Sequence, residues 1–169
     1  AAAALCRGGD QFVGIFKLQG NRLLDQHVLS QLQGLQHRFD VLVLAGDLTN
    51  YGKPEEMESL LNALVRLRVP TVAVLGNHDD DRDMPAALTR RGIAVLKDQR
   101  TTLTIRGEQL ELAGLRFWTR RPADIARMLK GASETVLMLA HDPRRLVEAA
   151  AHGVGAVLAG HTHGGQIVL

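Results

Sequence analysis

Four short apolar runs punctuate the chain: Val41–Ala45, Thr71–Leu75, Thr135–Ala140 and Gly155–Ala159. None alternates with polar residues. Unbroken runs of this length predict strands buried on both faces, as in a sheet flanked by helices. Helical spacing fills the intervals. Pro54 to Arg68 opens on Pro and two acids, aligns Met57, Leu60, Leu61, Leu64 and Leu67 on one stripe, and stops before Pro70. Asp83 is placed to cap a short helix through Arg90, closed by Gly92. Pro122 to Lys130 runs into Gly131, and Asp142-Pro143 opens a helix that ends near His152-Gly153. Leu23 to Arg38 carries Leu24, Val28, Leu32 and Leu35 on one side. Thr101–Arg106 and Gln109–Ala113 are β-rich, and Gly107-Glu108 between them suits a type II′ hairpin turn. This order predicts an α/β fold with a mixed sheet or two sheets, folded as a single domain over residues 1–169.

Composition narrows the picture a little. Aromatic residues make up only 4% of the chain, so the core is built from Leu, Val, Ile and Ala. A formal net charge of +2, with no dense basic stripe interleaved with aromatics, gives no indication of nucleic-acid binding. Arg90–Arg91, Arg120–Arg121 and Arg144–Arg145 read as solvated surface pairs. Cys6 is the only cysteine, which excludes an intrachain disulfide and favours a reducing cytoplasm, with peripheral membrane attachment left open. No apolar run approaches the roughly 18–20 residues of a membrane span. Ala1–Leu5 is too short for a signal-peptide core. The oligomeric state is not readable.

The polar residues that follow the apolar runs carry the chemistry. Gly46-Asp47 follows the first, Gly76-Asn77-His78-Asp79 the second, His141-Asp142 the third, and Gly160-His161-Thr162-His163 the fourth. In open α/β sheets, sites form at the carboxyl ends of strands. One such residue is usually a cap or a satisfied core group; four strand ends in succession point to a shared metal site. Asp79 is a candidate to hold the ring nitrogen of a nearby histidine. His27, His37 and His152 read as structural or surface residues. Trp118 is either a packed side chain or part of a site wall.

These motifs together resemble those of the calcineurin-like metallophosphoesterases, and Gly160–Ile167 and Gly46–Gly52 are similar to the bacterial branch of that family. The resemblance spans Asp47 to His163, in the family's order. It implies a four-layer αββα sandwich with two mixed β-sheets and a metal site at the strand C-terminal ends. It also implies two divalent transition-metal ions (Mn, Fe, Zn or Co), with Asp47 bridging them. Asn77, His141 and His161 would complete one metal, and Asp10, Asp47 and His163 would serve the other. His78 would face the phosphate, protonating the leaving oxygen or steadying the transition state. One position departs from the pattern. The family opens with Asp-x-His; here Asp10 fits, but Phe12 stands in place of the histidine. The resemblance also implies further strand after Leu169.

Two metals close together neutralise phosphoester charge and activate a bound water as hydroxide. Mixed nitrogen and oxygen ligands suit transition ions better than calcium. A histidine titrates near neutrality, as a general acid requires. Competing chemistries lack their motifs: there is no Gly-x-Ser-x-Gly and no phosphate-binding Gly-x-x-x-x-Gly-Lys loop. The residues therefore predict a phosphoester hydrolase acting on a small-molecule substrate, most naturally a phosphodiester such as a cyclic nucleotide or a lipid-linked diphosphate. Two alternatives stay open. Phe12 leaves an impaired or mononuclear site in a weak enzyme or interaction module, or the fold serves only as a scaffold.

Overall fold

The computed structural model describes residues 2–8 and 11–18 as backbone, and residues 40–162 in full. The candidate helix over Leu23–Arg38, together with Asp10, His27, His37 and His163, lies outside the described residues. Among the described residues, nine strands form two sheets. The first contains β1 (Ala2–Gly8), β2 (Gln11–Leu18), β3 (Val41–Ala45), β4 (Thr71–Val74) and β5 (Ala94–Val95), in that spatial order. The second orders β6 (Gln99–Ile105), β7 (Glu108–Leu115), β8 (Leu137–Ala140) and β9 (Ala156–Ala159). Each sheet begins with an antiparallel pair and continues in parallel. The described helices are α1 (Pro54–Leu64), α2 (Met84–Thr89), α3 (Pro122–Leu129) and α4 (Leu146–Ala151), the last preceded by a 3₁₀ turn at Pro143–Arg145.

The unbroken apolar runs explain the layering. Side chains alternate faces along a strand, so a strand that is apolar at every position supplies two cores. Val41 and Val43 of β3, with Val72 and Val74 of β4, pack against Leu112, Leu137 and Leu139 of the second sheet. Leu42, Leu44 and Ala73 turn the other way, onto Leu60, Leu61 and Leu64 of α1 and Met84 and Leu88 of α2. On the second sheet Ala113, Leu115, Met138 and Ala140 meet Ile125, Met128 and Leu129 of α3 and Ala149 of α4. Each buried Leu of this kind contributes about 1.5–3 kcal/mol. A Cβ on Gly114 of β7 would overlap Leu96, so the two sheets approach too closely there for any larger residue.

Several expectations need correction. Helix α1 ends at Leu64, not Arg68. Pro70 disfavours helix at Val69, and its carbonyl already accepts from the Leu42 amide at 2.9 Å, so the chain must straighten early to enter β4. The hairpin turn is Arg106-Gly107, because Ile105 pairs with Glu108. Both turn residues have positive φ, +53° and +87°, which is type I′ rather than II′. Arg106 is held in that conformation by two bonds to the Asp40 carboxylate, each 2.9 Å. Strand β9 is not buried like the other three apolar runs: Ala156 is exposed and the rest are half-buried.

Candidate metal centre

Parallel pairing of β3 with β4 and of β8 with β9 sends all four carboxyl ends to one edge, where the two sheets meet. Asp47 follows β3, Asn77 follows β4, His141 follows β8 and His161 follows β9. The chain turns sharply there. Gly46, Asp47 and His161 all have positive φ, at +82°, +50° and +67°. For Asp and His this is a costly conformation, of the sort that clusters at functional sites. Small residues make room for the ligands. A Cβ on either Gly46 or Gly160 would overlap the His141 ring.

Asp47 Oδ2 lies 3.0 Å from His141 Nε2, and His161 Nδ1 lies 3.2 Å from the same nitrogen. One ligand atom from each of the three residues falls within 4.8 Å of the others. His141 Nδ1 is 2.7 Å from the Ala45 carbonyl. A carbonyl only accepts, so Nδ1 carries the proton and Nε2 turns its lone pair to the cluster. Three electron-rich atoms so close together call for positive charge between them. The titration directions agree. Burial pushes the Asp47 carboxyl up, but the His141 ring and the His78 amide outweigh it and hold it below the usual range. Burial pushes His141 down, yet bonds to Asp47 and the Ala45 carbonyl leave it raised. A proton, or a metal ion in its place, fits there.

Asn77, after β4, is a further candidate. Its Oδ1 is buried without a hydrogen-bond partner, which costs about 1–3 kcal/mol unless something else binds it. Its neighbour His78 donates its backbone amide to Asp47 Oδ1 at 3.1 Å. The His78 side chain is exposed, in an open groove of about 490 Å³ that Tyr51, Gly52, Asn77, Asp79 and Asp80 also line.

Among the described residues, Asp79 holds no histidine ring. Its carboxylate accepts from the Thr49 amide at 2.9 Å, the Thr49 hydroxyl at 3.0 Å and the Gly76 amide at 2.9 Å, tying the loops after β3 and β4 together. The Arg144–Arg145 pair is not free surface either. Both side chains engage Asp142, which also caps the following turn by accepting from the Arg144 amide. His152 does sit at a helix end, as the C-cap of α4.

The strand beside β3 is the second of an antiparallel hairpin, with Ile15 opposite Val41 and Leu18 opposite Leu44. Lys17 and Leu18 therefore end β2 on the Asp47 edge. Gly8 and Gln11 pair with each other at the far edge. Phe12 is an internal residue of β2, opposite Arg7.

One neighbour escaped the sequence reading. The Phe117 ring centroid lies 5.7 Å from that of His141 and 5.9 Å from that of His161. It also follows a strand end, that of β7, but an apolar residue carries no metal-ligand signature. Trp118, beside it, is 54% exposed rather than packed.

The family model of calcineurin-like phosphoesterases matches residues 21–165. The chain belongs to that family. Its members are metal-dependent hydrolases of phosphoester bonds. This calcineurin-like chain is 29% identical over 147 residues to the phosphodiesterase YaeI of Escherichia coli, covering 79% of this chain and 52% of YaeI. It is 27% identical over 153 residues to the uncharacterized protein YpbG of Bacillus subtilis, covering 86% of this chain and 58% of YpbG. The chain thus spans little more than half the length of either relative. The crystal structure of the phosphopantetheinyl hydrolase PptH from Mycobacterium tuberculosis superposes with a TM-score of 0.59 at 11% identity, over 88% of this chain and 82% of that one. That likeness concerns fold alone. Among the described residues no helix is long and apolar enough to cross a membrane.

Proposed function

We propose that residues 1–169 form one calcineurin-like domain, a four-layer αββα sandwich, that hydrolyses phosphodiesters. Asp47, Asn77, His141 and His161 would hold one divalent transition ion, and Asp47 would share a second with Asp10 and His163. The observation that carries this reading is the convergence of Asp47, His141 and His161. Such an ion neutralises phosphoryl charge and lowers the pKa of water. The chain's own residues do the rest. Asp47 presents a buried carboxylate whose Oδ1 is oriented by the His78 amide. The Ala45 carbonyl fixes the His141 tautomer. In hydrolysis a water oxygen joins phosphorus as the ester P–O bond breaks. The exposed His78 ring would give the leaving oxygen its proton.

A mononuclear centre is the second reading. It is favoured by β2, which ends on this edge in Lys17 and Leu18, residue types that do not ligate metals. Loading purified protein with Mn²⁺ and measuring bound metal beside hydrolysis of bis(p-nitrophenyl) phosphate tests both. About two ions per chain with turnover supports the dinuclear enzyme, and about one ion with turnover supports the mononuclear one. Protein that binds no metal and shows no turnover overturns the proposal.

A further inference from the structure

Residues Arg116 to Thr119, after β7, form a pinned turn. The Arg116 amide donates to Asp98 Oδ1 at 3.0 Å and the Thr119 hydroxyl to Asp98 Oδ2 at 2.6 Å, so one carboxylate grips both ends. Asp98 itself has a φ of +56°. The Thr119 amide closes the turn onto the Arg116 carbonyl at 3.0 Å, and the Arg116 guanidinium is anchored on Asp81. At the apex stand Phe117 and Trp118, in edge-to-face contact at 4.8 Å between centroids. Phe117 in turn meets the rings of His141 and His161. A large indole is thus held half-exposed, one aromatic ring away from the candidate metal ligands.

Resting on the phosphoesterase reading, we propose that Phe117 and Trp118 form the subsite for the organic substituent on the phosphorus, and that it selects a planar aromatic group. The turn has no comparable grip on a small alkyl substituent, because stacking needs a π-face. Its pre-set geometry spares the ordering cost that a mobile loop would incur on binding.

Trp118 is the chain's only tryptophan, so its emission reports on the subsite directly. Two arms separate this proposal from the reading beneath it. In the binding arm, Zn²⁺-loaded protein is titrated with phenylphosphonate and with methylphosphonate, whose P–C bonds do not hydrolyse. Phenylphosphonate is expected to shift Trp118 emission saturably and to bind about tenfold more tightly than methylphosphonate. Equal affinities, or unchanged emission at saturation, overturn the subsite. In the kinetic arm, bis(p-nitrophenyl) phosphate is compared with methyl p-nitrophenyl phosphate, which has the same leaving group. Trp118→Ala is expected to lower the aryl-to-methyl ratio of kcat/KM about tenfold, and Trp118→Phe to restore most of it. A ratio unchanged in Trp118→Ala overturns the subsite even if both rates fall. No turnover of either diester by the wild-type chain counts against the phosphoesterase reading, and the binding arm then decides the subsite alone.

Discussion

The two halves of the candidate metal centre are built to different standards. On the first sheet, the loops after β3 and β4 are tied by the Asp79 carboxylate to Thr49 and Gly76, by the Thr49 hydroxyl to the His78 carbonyl at 3.1 Å, and by the His78 amide to Asp47. The strands beneath are wholly buried. On the second sheet, His161 follows a half-exposed strand, and the contact described for its ring nitrogen is with His141. Most of the centre, His141 on its Ala45 carbonyl included, is therefore positioned by the protein's own hydrogen bonds, while His161 leans on its companion. In such a design, the residues on the first side and His141 should matter to folding as well as binding, and His161 to binding alone.

The largest effect expected is on turnover. Asp47→Asn keeps the volume but removes the charge that the centre shares, and should cut kcat/KM on an aryl phosphodiester by about a thousandfold or more. Loss of a few-fold only would mean that Asp47 lies outside the reacting centre. Asp79→Ala comes next. It orphans the Thr49 and Gly76 amides, so urea unfolding should report a stability loss of about 2–4 kcal/mol in metal-free protein. His161→Ala is the contrasting variant. It should weaken Mn²⁺ binding by about 10–100-fold while shifting metal-free stability by less than about 0.5 kcal/mol. If His161→Ala unfolds as readily as Asp79→Ala, the two halves are alike and the comparison fails.

The smallest effect concerns Asp81, which couples the loop after β4 to Lys97 at 3.1 Å and to Arg116. Burial pushes its carboxyl up, but the two cations outweigh burial and leave its pKa below the ordinary value of 3.8. The folded state thus binds the proton less tightly than the unfolded chain does. The stabilisation is present above pH 3.8 and fades as the pH falls through the lower, folded-state value. Asp81→Asn should accordingly cost under about 1 kcal/mol at neutral pH, since both cations are partly exposed. The gap from the wild type should close as the pH drops below that window. A gap that persists in acid would assign Asp81 a role other than charge pairing.

How much of this was legible beforehand depended on whether the signal was local. Asp47, Asn77, His141 and His161 each follow an apolar run, and parallel strands carry such ends to one edge without further information. The role of Asp79 was not local: its partner Thr49 lies thirty residues away, and a carboxylate after a histidine reads equally well as a ring anchor. Ala156–Ala159 resembles the buried runs in composition, yet its position at the end of the second sheet's order leaves it half-exposed. The opening hairpin, which makes the strand beside β3 the second rather than the first, was not foreseen. Nothing in the two short stretches around Gly8 and Gln11 announces which edge they occupy. Phe117 was invisible because apolar residues at strand ends ordinarily signify only packing.

Each sheet is contiguous in sequence, the first complete by Val95 and the second beginning at Gln99. This division has a consequence in time. As the chain leaves the ribosome, Asp47 and Asn77 emerge with their sheet, while His141 and His161 are still to be made. Roughly sixty residues separate the end of β5 from the end of β9, which at ordinary synthesis rates is an interval of several seconds. During that interval the row of valines on β3 and β4 has no opposing sheet, and a metal ion would find only an oxygen-bearing half-site. On the proposed reading, tight ion capture would await the last strand, and binding of the ion would mark the moment at which the two halves have closed.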